Sequence, residues 1–304
     1  PGKVRAADGK LFIADTGHHR VLVADRDGRV LESIGSGGVG DRDGSFDGAS
    51  FHAPRGMALI GRNLYVADPE NHRIRRADLD ARTVTTAAGT GRMGGGSAKT
   101  RRAPCETPLR SPWDLCEVGE GLLVAMAGSH QIWAYDPGRE LCGPFAGTGL
   151  EHHIDGSVQE AAFAQPSGLC HAGRYVFVAD SETSSVRAID LESHEVMTIC
   201  GKGLFDFADV DGDAETARMQ HVLDVAFQDG ALYVADAYNH KIKRITLDEG
   251  RVDTFAGDGG TSTLDQPSGV CVWEGRLYVA DTNNHRIRVA DLRTGALETL
   301  ELRE

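Results

Sequence analysis

Long apolar runs are missing from this 304-residue chain. No stretch approaches the roughly 18 consecutive apolar residues of a membrane-spanning helix, so a helical span is excluded. Aromatic residues are only 6% and prolines number 10. Positive charge is also short: 32 Lys and Arg stand against 45 Asp and Glu, for a net charge of -13. Such a surface repels phosphates, which argues against nucleic-acid binding over a broad face. The one basic concentration, Arg92, Lys99, Arg101, Arg102 and Arg110, reads as a solvated loop. None of the six cysteines forms a C-x-x-C pair. The chain holds no G-x-S-x-G, no H-E-x-x-H and no nucleophile with a base at readable spacing, and so points away from a self-contained enzyme. No secretory signal is visible, since residues 1–10 already read as part of a repeat. A start at Pro1 reads as an excised or processed piece of a longer parent.

What the chain has in quantity is glycine, 38 residues, and self-similarity. Six β-forming segments resemble one another: Leu11–Asp15, Leu64–Asp68, Leu122–Met126, Val176–Asp180, Leu232–Asp236 and Leu277–Asp281. Each is followed by a second strand-like run, as in HRIRRAD from His72, HKIKRI from His240 and HRIRVAD from His285. The alternation in these runs is the strand period. Upstream lies a shorter strand opened by Pro1, Pro54, Pro112, Pro166 and Pro267, with Val222 standing in. Downstream a fourth strand ends in a glycine-rich turn, as in Thr83–Gly91. Four short strands recurring in this way predict an all-β, six-bladed β-propeller with four-stranded antiparallel blades. The expected blades are residues 1–53, 54–111, 112–165, 166–220, 221–266 and 267–304, in one domain and one monomeric ring. Both terminal blades look complete, with the last strand near Ala296–Leu302. Closure is therefore expected to rest on side-chain packing, with no strand exchanged.

The pattern VAD-x-x-N-H-R-I-R resembles that of NHL repeats, and the whole chain resembles the propeller of the thioredoxin-like NHL family. Three departures carry the likeness: Met126 to His130 in the third blade, Ser181 to Arg187 in the fourth, and Asp209-Val-Asp-Gly-Asp before the fifth. The resemblance implies a thioredoxin-like domain ahead of the propeller, absent from this chain, and a scaffolding or redox-linked role. It also brings in two alternatives: RNA binding by one face, which the acidic balance opposes, and a metal-dependent lyase or hydrolase with its site in the central channel.

The repeated Asp and His invite a metal reading. Asp15 and His19, Asp68 and His72, Asp236 and His240, and Asp281 and His285 recur, three of the pairs with an Asn between. Repetition favours a structural hairpin, with Asp capping the turn and His orienting the return strand. Asp209, Asp211 and Asp213 suggest calcium, but no Glu follows in register, and the Asp-Gly turns at Asp43 and Asp155 point to a loop. Cys116, Cys170 and Cys271 share one repeat position with Ala58 and Ala226, and Cys200 shares another with Ala88, Ala146 and Ala256. Cysteine in place of a buried alanine reads as packing. Neighbouring blades lie about 10 Å apart, beyond disulfide reach. Reduced thiols fit a cytoplasmic setting. Cys105 and Cys142 are expected in loops, and His152, His153 and His171 outside the channel strands.

The most informative position is the third of the first strand. It is Gly56, Gly168 and Gly269 in blades two, four and six, but Asp114, Asp224 and Lys3 in blades three, five and one. Facing the channel, two carboxylates and an ammonium would converge. They could hold a divalent cation or a small polar ligand, or Lys3 could neutralise the aspartates. The reading adopted is a non-catalytic interaction module that binds a protein partner or docks the thioredoxin-like domain.

Overall fold

The computed structural model describes residues 1–95 and 100–303. Its strands form six antiparallel sheets, each wound in chain order from an inner to an outer strand. Blade one is Lys3–Ala7, Lys10–Asp15, Arg20–Ala24 and Val30–Ile34. Blade two is Met57–Ile60, Asn63–Asp68, Arg73–Asp78 and Thr83–Ala88. Blade three is Pro112–Val118, Gly121–Met126, Gln131–Asp136 and Leu141–Ala146. Blade four is Pro166–Ala172, Tyr175–Asp180, Ser185–Asp190 and Glu195–Cys200. Blade five is Val222–Gln228, Ala231–Asp236, Lys241–Thr246 and Arg251–Ala256. Blade six is Pro267–Trp273, Arg276–Asp281, Arg286–Asp291 and Leu297–Leu300. The fold is a six-bladed β-propeller.

Two-residue periodicity splits each second strand between two neighbours. Leu64 and Val66 pack into the core shared with blade one. Tyr65 and Ala67, pointing the other way, pack into the core shared with blade three. No blade therefore has a core of its own, and stability rises only as the ring is completed. Phe46, Ala49 and Phe51 fill the first of these cores from the segment that joins blades one and two. Full burial of each Phe contributes about 1.5–3 kcal/mol.

Three joining segments do more than connect. Gly44–Ser45, Gly156–Ser157 and Gly212–Asp213 each add a short fifth strand to the outer edge of blades two, four and five. The four-stranded expectation is met in the other three blades. The segments assigned by sequence to the ends of blades one, three and four thus pair with the blade that follows. Their short length and mixed composition hide this pairing from a strand pattern.

Both terminal blades keep all four of their own strands, and Tyr278, Ile287, Leu11 and Ile13 pack across the seam. Side-chain packing is not the whole closure, however. Val30 N donates to Arg303 O (2.8 Å), and Arg303 N donates to Gly28 O (2.9 Å). Ser268 Oγ donates to Gly2 O (2.6 Å). Gly28 adopts φ +86°, and a Cβ there would fall 2.3 Å from Glu301 O, so the clasp requires glycine.

Two expected placements are corrected by the strands. Cys142 lies inside the outer strand of blade three and is fully buried, while Cys105 is exposed. His171 lies in the inner strand of blade four. Of the basic cluster, Arg92, Arg101 and Arg102 are exposed and Arg110 is half-buried. Lys99 lies outside the described residues.

Candidate functional site in the central channel

The inner strands bring Lys3, Asp114 and Asp224 together on the axis. Lys3 Nζ lies 2.8 Å from Asp224 Oδ1 and 3.3 Å from Asp114 Oδ2, and it also donates to Leu223 O (3.1 Å). All three side chains are at most 8% exposed. The glycines explain the alternation around the ring. A Cβ at Gly56 would fall 2.1 Å from Asp114 Oδ1, and one at Gly168 would fall 2.6 Å from Asp224 Cα. One at Gly269 would fall 2.8 Å from Lys3 Cα. Each charged residue occupies space that the preceding blade leaves open.

The carboxylates are also engaged by backbone. An inner strand has no partner on its axial edge, so alternate N–H groups point into the channel and need acceptors. Asp114 accepts from Leu115 N and Leu169 N, both at 2.9 Å. Asp224 accepts from Val225 N (3.0 Å) and Val270 N (2.9 Å). Each aspartate thus bridges its own blade to the next. Burial pushes the Asp224 carboxyl up, the charge of Asp114 adds to the shift, and Lys3 opposes it. The ammonium stands where a divalent cation between these carboxylates would have to stand. Among the described residues no group of three or more His, Cys, Asp or Glu could hold a metal.

A cavity of about 200 Å³ extends from this charged layer, lined further along the inner strands by Arg5, Cys170, His171 and Cys271. Ala6 N donates to Cys271 Sγ (3.1 Å), a thiol doing for a second tier of edge N–H groups what the aspartates do for the first. Burial pushes the Cys170 thiol up to about 11 and holds Cys116 and Cys271 above their usual range. These thiols stay protonated near neutral pH and read as packing groups.

The Asp and His motif builds the ring, and the His side chains join neighbouring blades. His19, His72, His130 and His240 end one-turn 3-10 helices in left-handed geometry, φ 49 to 55°. From there each imidazole reaches the next blade. Nδ1 accepts from Ala53 N, Ser111 N, Gln165 N and Gln266 N respectively, at 3.1 to 3.2 Å. In blade four Ser184 replaces His, and its Oγ accepts from His221 N (3.0 Å). His285 has the same backbone form and is exposed. The aspartates reach back instead. Asp68, Asp180, Asp236 and Asp281 accept, at 2.7 to 2.8 Å, from the backbone N–H 16 residues upstream. Asp15 pairs with His18 and Arg20.

A third feature was not read from the sequence. Arg75, Arg187 and Lys243 are wholly buried. Arg75 pairs with Asp68 (3.1 Å) and Asp43 (2.7 Å), and Arg187 with Asp180 (3.4 Å) and Asp155 (2.5 Å). Lys243 pairs with Asp209 (2.5 Å) and Asp211 (2.7 Å). The acidic run before blade five therefore binds lysine, with Lys241 also on Asp209. The available signal was the coincidence, blade by blade, of an Asp-Gly turn with a cation three residues after the His or Ser.

On the face carrying the 3-10 turns, blades four and five present a groove of about 430 Å³ lined by Glu151, Glu182, Phe205, Phe207, His221 and Tyr238. Phe205 is 89% exposed and Phe207 51%. Tyr238 stacks on His221 with ring centroids 4.3 Å apart. Nothing in the repeat pattern pointed to this groove, because Phe205 and Phe207 lie in an irregular connection.

Comparison with known proteins agrees with the repeat reading. The NHL repeat family matches residues 264–290. NHL repeat-containing protein 2 from Bos taurus is 42% identical over 292 residues, covering 85% of this chain. The chain spans 40% of that relative's length. Among solved structures, one from a nidogen/laminin complex superposes with TM-score 0.64 at 15% identity, covering 95% of this chain and 92% of the other. A catalytically inactive virginiamycin B lyase from Staphylococcus aureus, with quinupristin, superposes with TM-score 0.61 at 10% identity, covering 100% and 84%. At such identities these two likenesses bear on fold alone. Repeats, ring geometry and relatives agree that the chain is a β-propeller of NHL repeats, homologous to the corresponding region of NHL repeat-containing protein 2.

Proposed function

We propose that this propeller is a non-catalytic protein-interaction platform that uses the aromatic groove between blades four and five. The observation that carries the reading is the exposure of Phe205, Phe207 (89% and 51%) and Tyr238 (47%) beside one groove. Exposed aromatic side chains of this kind have no role in the ring's own core, and clusters of them mark binding surfaces. Glu151 and Glu182 border the groove, and the chain carries a net charge of -13. The partner that fits is a protein segment with aliphatic or aromatic anchors flanked by Lys or Arg. A thioredoxin-like domain is a partner only if it presents such a segment.

The test is peptide display on the purified propeller, in parallel with the Phe205→Asp/Phe207→Asp variant. Selection of apolar-anchored basic peptides by the native ring, lost in the folded variant, is the expected result. Equal enrichment on both proteins, or enrichment of acidic peptides, overturns the groove as the binding face.

A further inference from the structure

The axial charges have an approximate threefold arrangement, and one third of it is incomplete. In two sectors an aspartate bridges two edge N–H groups. Asp114 takes the N–H following itself and the N–H following Gly168, and Asp224 takes the N–H following itself and the N–H following Gly269. In the remaining sector the residue is Lys3 and the glycine is Gly56, so the equivalent groups are Val4 N and Met57 N. Their outward direction follows from the ladder: Ala6 N, two residues beyond Val4, points out to Cys271 Sγ. Gly56 O, one residue before Met57, points inward to Ala67 N. Lysine has no lone pair to offer. Among the described residues no side chain accepts from Val4 N or Met57 N.

Arg5 adds to the same imbalance. It stands two residues beyond Lys3 on the same strand and faces the cavity that Lys3, Val4 and Met57 also line. Its guanidinium has no hydrogen-bond acceptor among the described residues, and it is half-buried, so the cavity gives water and small solutes access to it. Asp114 and Asp224 have both oxygens occupied by backbone N–H groups and by Lys3. The cavity therefore offers donors in excess of acceptors, and this spare donor capacity, with a guanidinium that no carboxylate among the described residues pairs, calls for an anionic acceptor. About 200 Å³ holds a group of a few heavy atoms with some water, and excludes a peptide or nucleotide.

We propose that the channel binds a small free carboxylate, which takes the place of the missing third aspartate. Its two oxygens accept from Val4 N and Met57 N, as those of Asp114 accept from Leu115 N and Leu169 N. The Arg5 guanidinium supplies the countercharge, since the Lys3 ammonium is engaged by Asp114, Asp224 and Leu223 O. A planar carboxylate matches this double acceptor role better than a tetrahedral oxyanion. The site is separate from the aromatic groove, so neither proposal stands or falls with the other.

The probe is acetate, titrated into the full chain against sodium chloride at equal ionic strength, followed by calorimetry and by line broadening of the acetate methyl signal. Acetate is expected to bind the native ring and raise its melting temperature with increasing concentration. Arg5→Gln, which removes no hydrogen bond of the ring, is expected to keep the fold and weaken binding about ten- to hundredfold. Arg5→Lys retains the charge and recovers part of it. Phosphate is the comparison anion, expected to bind more weakly. The proposal is overturned by absence of acetate binding to the native ring, by a response that chloride reproduces, or by equal affinity in Arg5→Gln. Phosphate binding tighter than acetate, with the same dependence on Arg5, overturns the carboxylate assignment.

Discussion

At the scale of residues, the imidazoles show how a modest sequence signal becomes a joint. His72 uses Nδ1 to accept from Ser111 N, 39 residues away, and protonation at that nitrogen removes the acceptor. Burial holds the His72 and His130 imidazoles below their ordinary value of 6.5, with Arg110 acting in the same direction and nearby Glu70 or Glu151 opposing it. A basic group whose folded value lies below its unfolded value binds its proton more tightly when unfolded. Its contribution to stability is complete above 6.5 and is lost as pH falls through the depressed folded value. His130→Gln should therefore flatten the loss of stability on acidification below about pH 6.5, relative to the native chain, by urea denaturation at stepped pH. An unchanged slope would remove this joint from the pH response. The buried pairs predict a larger effect. Arg75 and Asp68 are both fully buried, so Arg75→Ala leaves a carboxylate without its cation and should cost about 3–5 kcal/mol in the same assay.

Elements explain why charged residues alternate with glycine at the axis. Successive inner strands approach so closely that a side chain on one requires none on the preceding one. Gly168→Ala would put a Cβ 2.6 Å from Asp224 Cα and 2.7 Å from Leu223 O, backbone and backbone, with no flexible group to give way. A loss of about 1–3 kcal/mol or more is expected for Gly168→Ala by chemical denaturation. Gly95→Ala is the control, because nothing lies within 4 Å of a Cβ there. The short fifth strands follow a related logic. Asp43 accepts from Thr86 N and from Arg75, which fixes the joining segment to the outer edge of blade two. Asp155 with Thr198 and Arg187, and Asp211 with Thr254 and Lys243, repeat the arrangement.

For the whole molecule the weak point is the seam between blades one and six. The other joints are covalently linked through connecting segments, whereas this one relies on its shared core, the Ser268–Gly2 and Ala6–Cys271 hydrogen bonds and the Arg303 clasp. Each backbone hydrogen bond contributes roughly 0.5–1.5 kcal/mol, so truncation after Leu300 should cost about 1–3 kcal/mol. Exchange of the Val30 amide is expected to speed up before amides in blades three and four do. Equal exchange at Val30 with and without the tail would show that the clasp adds nothing to closure. The aromatic groove and the axial cavity lie on the same ring, but they call for opposite partners: a basic, apolar segment outside and a small anion inside.

Much of this was legible from the chain itself. Repeated LYVAD-like strands, proline-opened inner strands and glycine turns fixed six blades, because strand alternation and turn chemistry act between residues close in sequence. The convergence of Lys3 with Asp114 and Asp224 was reachable by aligning the repeats, since equivalent positions meet at the axis. Three things were decided only in the tertiary structure: that His19, His72, His130 and His240 serve the next blade, that the Asp-Gly loops hold buried Arg and Lys, and that Val4 N and Met57 N lack a carboxylate. These depend on contacts between neighbouring blades, such as Arg75 to Asp43 at 32 residues and Lys3 to Asp114 at 111. A local pattern carries no information on which side chain fills the space between two sheets until the ring sets their distance.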